Sequence, residues 1–101
     1  MNERVDYYIS AVRTRGEHVT HLRVHKALPG NGFAPHGIVQ PRSTVIVNIR
    51  SNSRNYRTLR MSQSPARPGD PVRIVEVEKR FYLRTDDGGD PRDSLGELPT
   101  F

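Results

Sequence analysis

Apolar and polar residues alternate near the start of the chain, as they do in β-strands that have one buried face. Residues 7–13 (YYISAVR) mix aromatic, β-branched and small side chains, and between residues 19 and 28 Leu22 and Val24 point to one side. The opposite side of that second run carries His21, Arg23 and His25. A turn at residues 15–18 (RGEH) joins the two runs. The pattern predicts a hairpin whose open face is polar.

Two proline-rich stretches interrupt this patterning. Residues 29–43 (PGNGFAPHGIVQPRS) contain three prolines and three glycines, and residues 62–71 (SQSPARPGDP) are similar in character. Because proline has no backbone N–H to give to a strand ladder, both stretches are predicted to be loops. Residues 56–61, just before the second stretch, are predicted to be extended.

Residues 41–51 (PRSTVIVNIRS) are compatible with two structures. Their β-branched residues favour a strand, whereas Val45, Ile46 and Ile49 form a stripe along one side of a helix. Asn52 suits the left-handed position that often follows a helix. The local pattern therefore leaves strand and helix both open.

Two further strands are predicted toward the end of the sequence. Residues 72–77 (VRIVEV) and 80–86 (RFYLRTD) are rich in β-branched and aromatic side chains, and a tight turn at Glu78 and Lys79 joins them. Apolar residues on both faces of the first run predict that it lies at the centre of the sheet.

The last apolar residues recur at intervals of three. Leu95, Leu98 and Phe101 are large side chains that would be unusual in a solvated tail, so we expect the tail to pack back onto the sheet. The predicted fold is α+β and forms one domain over residues 1–101. It consists of a small antiparallel β-sheet of four to five strands with one short helix and an ordered C-terminal clasp.

The composition excludes several classes of protein. The chain has no cysteine, so it contains no disulfide, thiolate metal site or thiol nucleophile. Its first residues (MNERVDYYISAVR) lack the apolar run of a signal peptide, and eighteen apolar residues never occur together. We therefore expect a cytoplasmic protein that does not associate with a membrane.

Motifs at both ends of the chain resemble a family of short bacterial proteins. Residues 8–13 (YISAVR), 81–86 (FYLRTD) and 93–101 (DSLGELPTF) are similar to the opening and closing motifs of domain-of-unknown-function family 3892. The resemblance implies a helix and then an aromatic strand where this chain has PRSTVIVNIRSNSRNYRT, which favours a helix for residues 41–51. The sequence departs from the family pattern at Asn52, where a glycine would be usual. The resemblance implies no catalytic residues.

Two groups of residues imitate metal sites. Reading residues 86–97 as a calcium loop places Gly88 on a ligand position and Pro91 on the position that requires glycine. His21 and His25 would lie about 13 Å apart on a strand that rises ~3.3 Å per residue, which is too far to share an ion. The chain also lacks a nucleophile motif and a phosphate-binding glycine loop. We predict no metal, no cofactor and no enzymatic activity.

Charge is distributed unevenly along the chain, which carries a net charge of +5. Residues 18–69 contain eight basic and no acidic side chains, whereas residues 70–101 contain five basic and eight acidic ones. A purely cationic segment attracts polyanions if its side chains share a face. The alternative is that the acidic C-terminal third folds across the segment and neutralises it.

The densest basic run is residues 50–60 (RSNSRNYRTLR). Arginine forms bidentate contacts with phosphate and an aromatic ring can stack on a base, so the sequence predicts a non-catalytic binding module for RNA or DNA. The predicted contact residues are Arg50, Arg54, Tyr56, Arg57 and Arg60, with His21, Arg23 and His25 extending the surface. The alternative is a protein-interaction or self-association module that uses an exposed sheet edge or the loop GFAPHGIV.

Overall fold

The computed structural model describes residues 5–16, 18–61, 66–86, 88, 91–96 and 98–101. This part of the chain contains two β-sheets and one α-helix. The elements are β1 (Tyr7–Arg15), β2 (His18–Leu28), β3 (Gly32–Phe33), β4 (Ile38–Pro41), α1 (Arg42–Arg50), β5 (Tyr56–Arg60), β6 (Arg67–Pro71), β7 (Arg73–Val77) and β8 (Arg80–Arg84).

The larger sheet is mixed. Its strand order is β3-β2-β1-β5-β6. β4 also pairs with β2, on the same edge as β3 but nearer the start of β2. β1 and β5 are parallel, with Tyr7 opposite Tyr56, whereas the other pairs are antiparallel. The broad α+β class is confirmed, but the expectation of a purely antiparallel sheet is wrong. The physical reason is α1, which links β4 to β5 as a crossover between two strands that run in the same direction.

The residues that could form either a strand or a helix are a helix. α1 buries Val45 and Ile46 and leaves Val47 exposed, which is a helical stripe rather than an alternation. Asn52 follows with a φ of 57°, in the left-handed conformation expected after a helix end. Burial of the stripe against the sheet therefore outweighs the strand preference of the β-branched residues.

Both predicted loops contain strands. β3 and β4 lie within residues 29–43, and β6 lies within residues 62–71. The prolines of β6, Pro68 and Pro71, are tolerated because β6 is the last strand of the sheet and its outer edge requires no N–H donor.

β7 and β8 form a separate hairpin, so the prediction that residues 72–77 lie at the centre of the sheet is wrong. The predicted turn is confirmed, because Glu78 and Lys79 have φ values of 52° and 66° and join paired residues Val77 and Arg80. The hairpin packs on α1 and on the core, which explains its apolar residues without a central position.

The core lies between the larger sheet, α1 and the hairpin. Its buried members are Ile9, Val12, Leu22, Val24, Val45, Ile46, Tyr56, Val72, Leu83 and Leu95.

The C-terminal residues join the two sheets, as the predicted clasp requires. Ser94 donates from its N–H to the Leu83 carbonyl at 2.8 Å on β8. Further along, the Phe101 N–H donates to the Val12 carbonyl at 3.1 Å on β1. Leu95 is buried between these two attachments.

Candidate nucleic-acid interface

Tyr56 is a core residue rather than a surface platform. Its side chain faces α1 from the first position of β5 and is 2% exposed. The hydroxyl donates to Gln40 Oε1 at 2.9 Å and accepts from Asn48 Nδ2 at 3.0 Å, and the ring stacks on Tyr7. Burial raises the pKa of the Tyr56 hydroxyl. The expectation that this ring is accessible to a base is wrong.

His25 is also buried, at 2% exposure. The predicted open face is covered at this point because β3 folds back along β2, which brings the Phe33 ring edge-on to the imidazole. Gly37 lies so close to this face that a Cβ there would be 2.5 Å from Arg23 Cγ. His25 therefore cannot extend a binding surface, and the expectation that it is exposed is wrong.

The imidazole of His25 is held by two hydrogen bonds. Nδ1 donates to the Ala34 carbonyl at 2.9 Å, because a carbonyl oxygen can only accept, and in the neutral ring Nε2 accepts from Ser10 Oγ at 2.7 Å. A hydroxyl paired with a histidine is the arrangement of an activated nucleophile. Here Ser10 is itself buried, and neither residue lines the two cavities described below. The pair satisfies buried polar groups.

The arginines that are close in sequence do not form one patch. Arg50 packs over the Phe81 ring, 3.8 Å from its centroid, on the side of the hairpin. Arg57 follows Tyr56 on β5 and so points to the opposite face, where Nε and Nη2 donate to the Gly69 carbonyl at 3.0 and 2.8 Å.

The remaining two predicted arginines make other contacts. Arg54 lies in the segment between α1 and β5, where Nη1 donates to the Ser53 carbonyl at 2.8 Å. Arg60 is at the far end of β5, opposite Arg67. Proximity in sequence therefore does not become a shared surface.

The structure instead groups Arg13, His21, Arg23 and Phe101, which we call the Phe101 face. The guanidinium carbons of Arg13 and Arg23 lie 4.6 and 4.5 Å from the centroid of the Phe101 ring. His21 is the strand partner of Arg13.

Strand register explains this grouping. Val12 and Leu22 are strand partners that belong to the core, so the residues that follow them, Arg13 and Arg23, point to the opposite face. His21 and Arg23 were predicted from the sequence, but Arg13 and Phe101 were missed. The register of the β1–β2 hairpin could have indicated that Arg13 shares a face with His21. Phe101 reaches this face only through the clasp.

Two acidic residues of the C-terminal third pair with arginines on α1 and β8. Asp93 forms a bidentate pair with Arg42, with its oxygens 2.8 and 2.9 Å from Nε and Nη2. Asp86 accepts from Arg84 Nε at 2.7 Å, and this hydrogen bond lowers the pKa of the Asp86 carboxyl.

The calcium-loop reading of residues 86–97 involves Asp90 and Glu97, which lie outside the described residues. Within the described ranges, no three histidine, aspartate or glutamate side chains are grouped as a metal site would require. No helix in those ranges has the length and apolar character needed to cross a membrane.

No family model, curated protein or solved structure matches this chain. The resemblance to family 3892 therefore stays a prediction.

Proposed function

We propose that this protein is a non-catalytic module that binds single-stranded nucleic acid on the Phe101 face. The observation that supports this proposal is the pair of arginines on one aromatic ring at exposed strand positions. A guanidinium that stacks on a ring keeps its in-plane N–H donors, which match the geometry of a phosphate. The face thus offers phosphate donors beside an aromatic ring, two features that sites for single-stranded nucleic acid combine.

The charge layout supports the same proposal. β2 belongs to the segment of residues 18–69, which contains no acidic side chain, and the described carboxylates of Asp86 and Asp93 pair with Arg84 and Arg42. A phosphate that approaches Arg23 therefore meets no carboxylate from that segment. The positive potential concentrates polyanions at the surface before any specific contact forms.

The test is an NMR titration of the ¹⁵N-labelled protein with short single-stranded and duplex oligonucleotides at low and near-physiological salt. We expect single-stranded DNA or RNA to shift the amides of residues 12–14, 21–23 and 99–101, with weaker binding as salt rises. Arg13→Gln and Arg23→Gln should each lower the slope of log affinity against log salt by about one. Lys79→Gln, which removes the same charge from the β7–β8 turn, should leave that slope unchanged.

Two results would contradict the proposal. One is an absence of shifts at low salt. The other is a shift pattern that is centred on Arg54 and Arg60 and persists in Arg23→Gln. That pattern would place the interface at residues 50–60.

A second candidate function is self-association through β4. Ile38 and Val39 are 54% and 48% exposed on this strand, and its outer edge pairs with no strand in the described part of the chain. Unpaired strand edges with apolar side chains pair readily with a second chain. We infer that a second copy of this protein could add to β4 in an antiparallel arrangement, which a two-fold axis permits. Its signature would be a mass that rises with protein concentration and depends little on salt.

A further inference from the structure

A pocket of about 410 Å³ opens on the side of the larger sheet that carries α1. Its walls come from the start of β2, the start of α1, the start of β8 and residues 91–93. This volume lies within the range of small-molecule sites. We call it the Arg80 pocket, and its polar and aromatic lining consists of His18, Arg42, Arg80, Phe81, Tyr82, Arg92 and Asp93.

The lining of the Arg80 pocket is cationic. Its one described carboxylate, Asp93, is held by three donors: Oδ2 accepts from Arg42 Nε, and Oδ1 accepts from Arg42 Nη2 and from the Leu83 N–H at 2.8 Å. Arg42 therefore offsets the charge of Asp93 and fixes it in place. Arg80 then contributes a positive charge to the lining, and His18, which also lines the pocket, adds a further donor.

The position of Arg80 suits it to a ligand. It is exposed at the first position of β8, and the structure records no hydrogen bond or ion pair for it among the described residues. His18 is likewise exposed, at the first position of β2. Two strand ends thus bring donors of different chemistry to the same opening.

The pocket continues into an apolar hollow. A second cavity of about 400 Å³ shares Val19, Arg92 and Asp93 with the first and is also lined by Val12, Leu95 and Leu98. An anionic group beside Arg80 could therefore remain attached to an apolar part that extends over valine and leucine side chains. The Tyr82 ring, which also lines the pocket, offers a planar apolar surface.

We propose that the Arg80 pocket binds a phosphomonoester whose organic part is a planar ring system, a ligand of the size of a nucleoside monophosphate. Arg80 and His18 bind the phosphate, because guanidinium and imidazole N–H groups are strong donors to phosphate oxygens. Arg42 acts as a positioning residue that keeps Asp93 from repelling the phosphate. The ring occupies the hollow beside Val19 and Leu98.

This site is independent of the Phe101 face. The Arg80 pocket lies on the α1 side of the sheet, whereas Arg13 and Arg23 point to the opposite side. The two proposals can therefore fail separately, since the amides of residues 21–23 report on the Phe101 face and those of residues 80–82 report on the Arg80 pocket.

The test is an NMR titration of the ¹⁵N-labelled protein with AMP, inorganic phosphate and adenosine. We expect AMP to shift the amides of residues 18–19, 80–82 and 92–95 and to bind at least tenfold more tightly than phosphate or adenosine alone. Arg80→Gln should weaken AMP binding about tenfold, and His18→Gln should weaken it severalfold from a different strand. Lys79→Gln is the matched control, because it removes a neighbouring charge that does not line the pocket.

Three results would overturn the proposal. They are AMP shifts confined to the Phe101 face, an affinity for AMP no greater than that for phosphate, and equal AMP affinity in Arg80→Gln and Lys79→Gln. The amide spectrum of each variant, recorded without ligand, shows whether the fold is retained. If Arg80→Gln does not fold, the AMP affinity of His18→Gln is compared with that of Lys79→Gln instead.

Discussion

At the scale of single residues, Tyr56 joins three elements of the fold. Its hydroxyl is the acceptor for Asn48 on α1 and the donor to Gln40 on β4, while its backbone belongs to β5. A buried hydroxyl with both partners satisfied costs little, but removing it leaves two amide groups that each lose a bond. The same hydroxyl cannot serve a ligand, because its bonding capacity is used inside the core.

We expect Tyr56→Phe to lower the free energy of unfolding by about 1–2 kcal/mol at pH 7, since one buried hydroxyl and its two hydrogen bonds are lost. The folded pKa of Tyr56 is raised above its unfolded value near 10, so the stability it contributes is complete below that value and is lost as pH rises through the folded pKa. The difference between wild type and variant should therefore shrink above pH 10. Urea unfolding of both proteins at pH 7 and pH 10.5 measures this difference in stability. An equal difference at the two pH values would contradict the raised pKa of Tyr56.

At the scale of elements, the C-terminal clasp adds a second attachment between the β7–β8 hairpin and the larger sheet. It bonds to β8 through Ser94 and to β1 through Phe101, and it buries Leu95 between them. The β7–β8 hairpin follows β6 of the larger sheet after Val72 and packs on α1 and the core, and the clasp adds a second link, by hydrogen bonds, from the hairpin to β1. It also brings the Phe101 ring to Arg13 and Arg23.

Leu95→Ala should lower the free energy of unfolding by about 2–4 kcal/mol, because a buried leucine is replaced by a cavity. Val47→Ala is the matched control, since Val47 is exposed on α1 and its truncation should change stability by less than about 0.5 kcal/mol. Chemical denaturation of both variants gives the comparison. Equal stabilities would mean that the clasp contributes nothing to the fold.

At the scale of the whole molecule, the two edges of the larger sheet differ. The β6 edge carries Pro68, Pro71 and charged residues, which prevent pairing with another strand. The β4 edge carries exposed Ile38 and Val39. If this protein associates with itself, the physical asymmetry of the edges predicts that it does so through β4.

Ile38→Lys should therefore abolish any rise of mass with concentration that sedimentation or light scattering detects in the wild type, because a charge on the edge opposes pairing. Leu28→Lys places the same charge on an exposed residue at the end of β2, away from the outer edge of β4, and should leave the association unchanged. A wild-type mass that stays constant with concentration would rule out self-association at the concentrations measured.

Much of the local structure was predictable because local patterns control it. The β1–β2 hairpin and the β7–β8 turn each depend on residues within a few positions of one another, whereas the local pattern of residues 41–51 left strand and helix both open. The candidate site was less predictable, since only His21 and Arg23 of the Phe101 face were identified. Arg13 and Phe101 are 88 positions apart in sequence, and no local pattern indicates that they meet.

The sequence by itself determined the absence of cysteine chemistry, the cationic character of residues 18–69 and the type of most elements, because composition and short-range periodicity suffice for these properties. Only the tertiary structure decided which faces the side chains occupy. The α1 crossover made β5 parallel to β1 and so buried Tyr56, and β3 covered His25. Both outcomes depend on contacts between segments that are distant in sequence. The free energy of these contacts comes from apolar surface that the segments bury together, so no single segment encodes it.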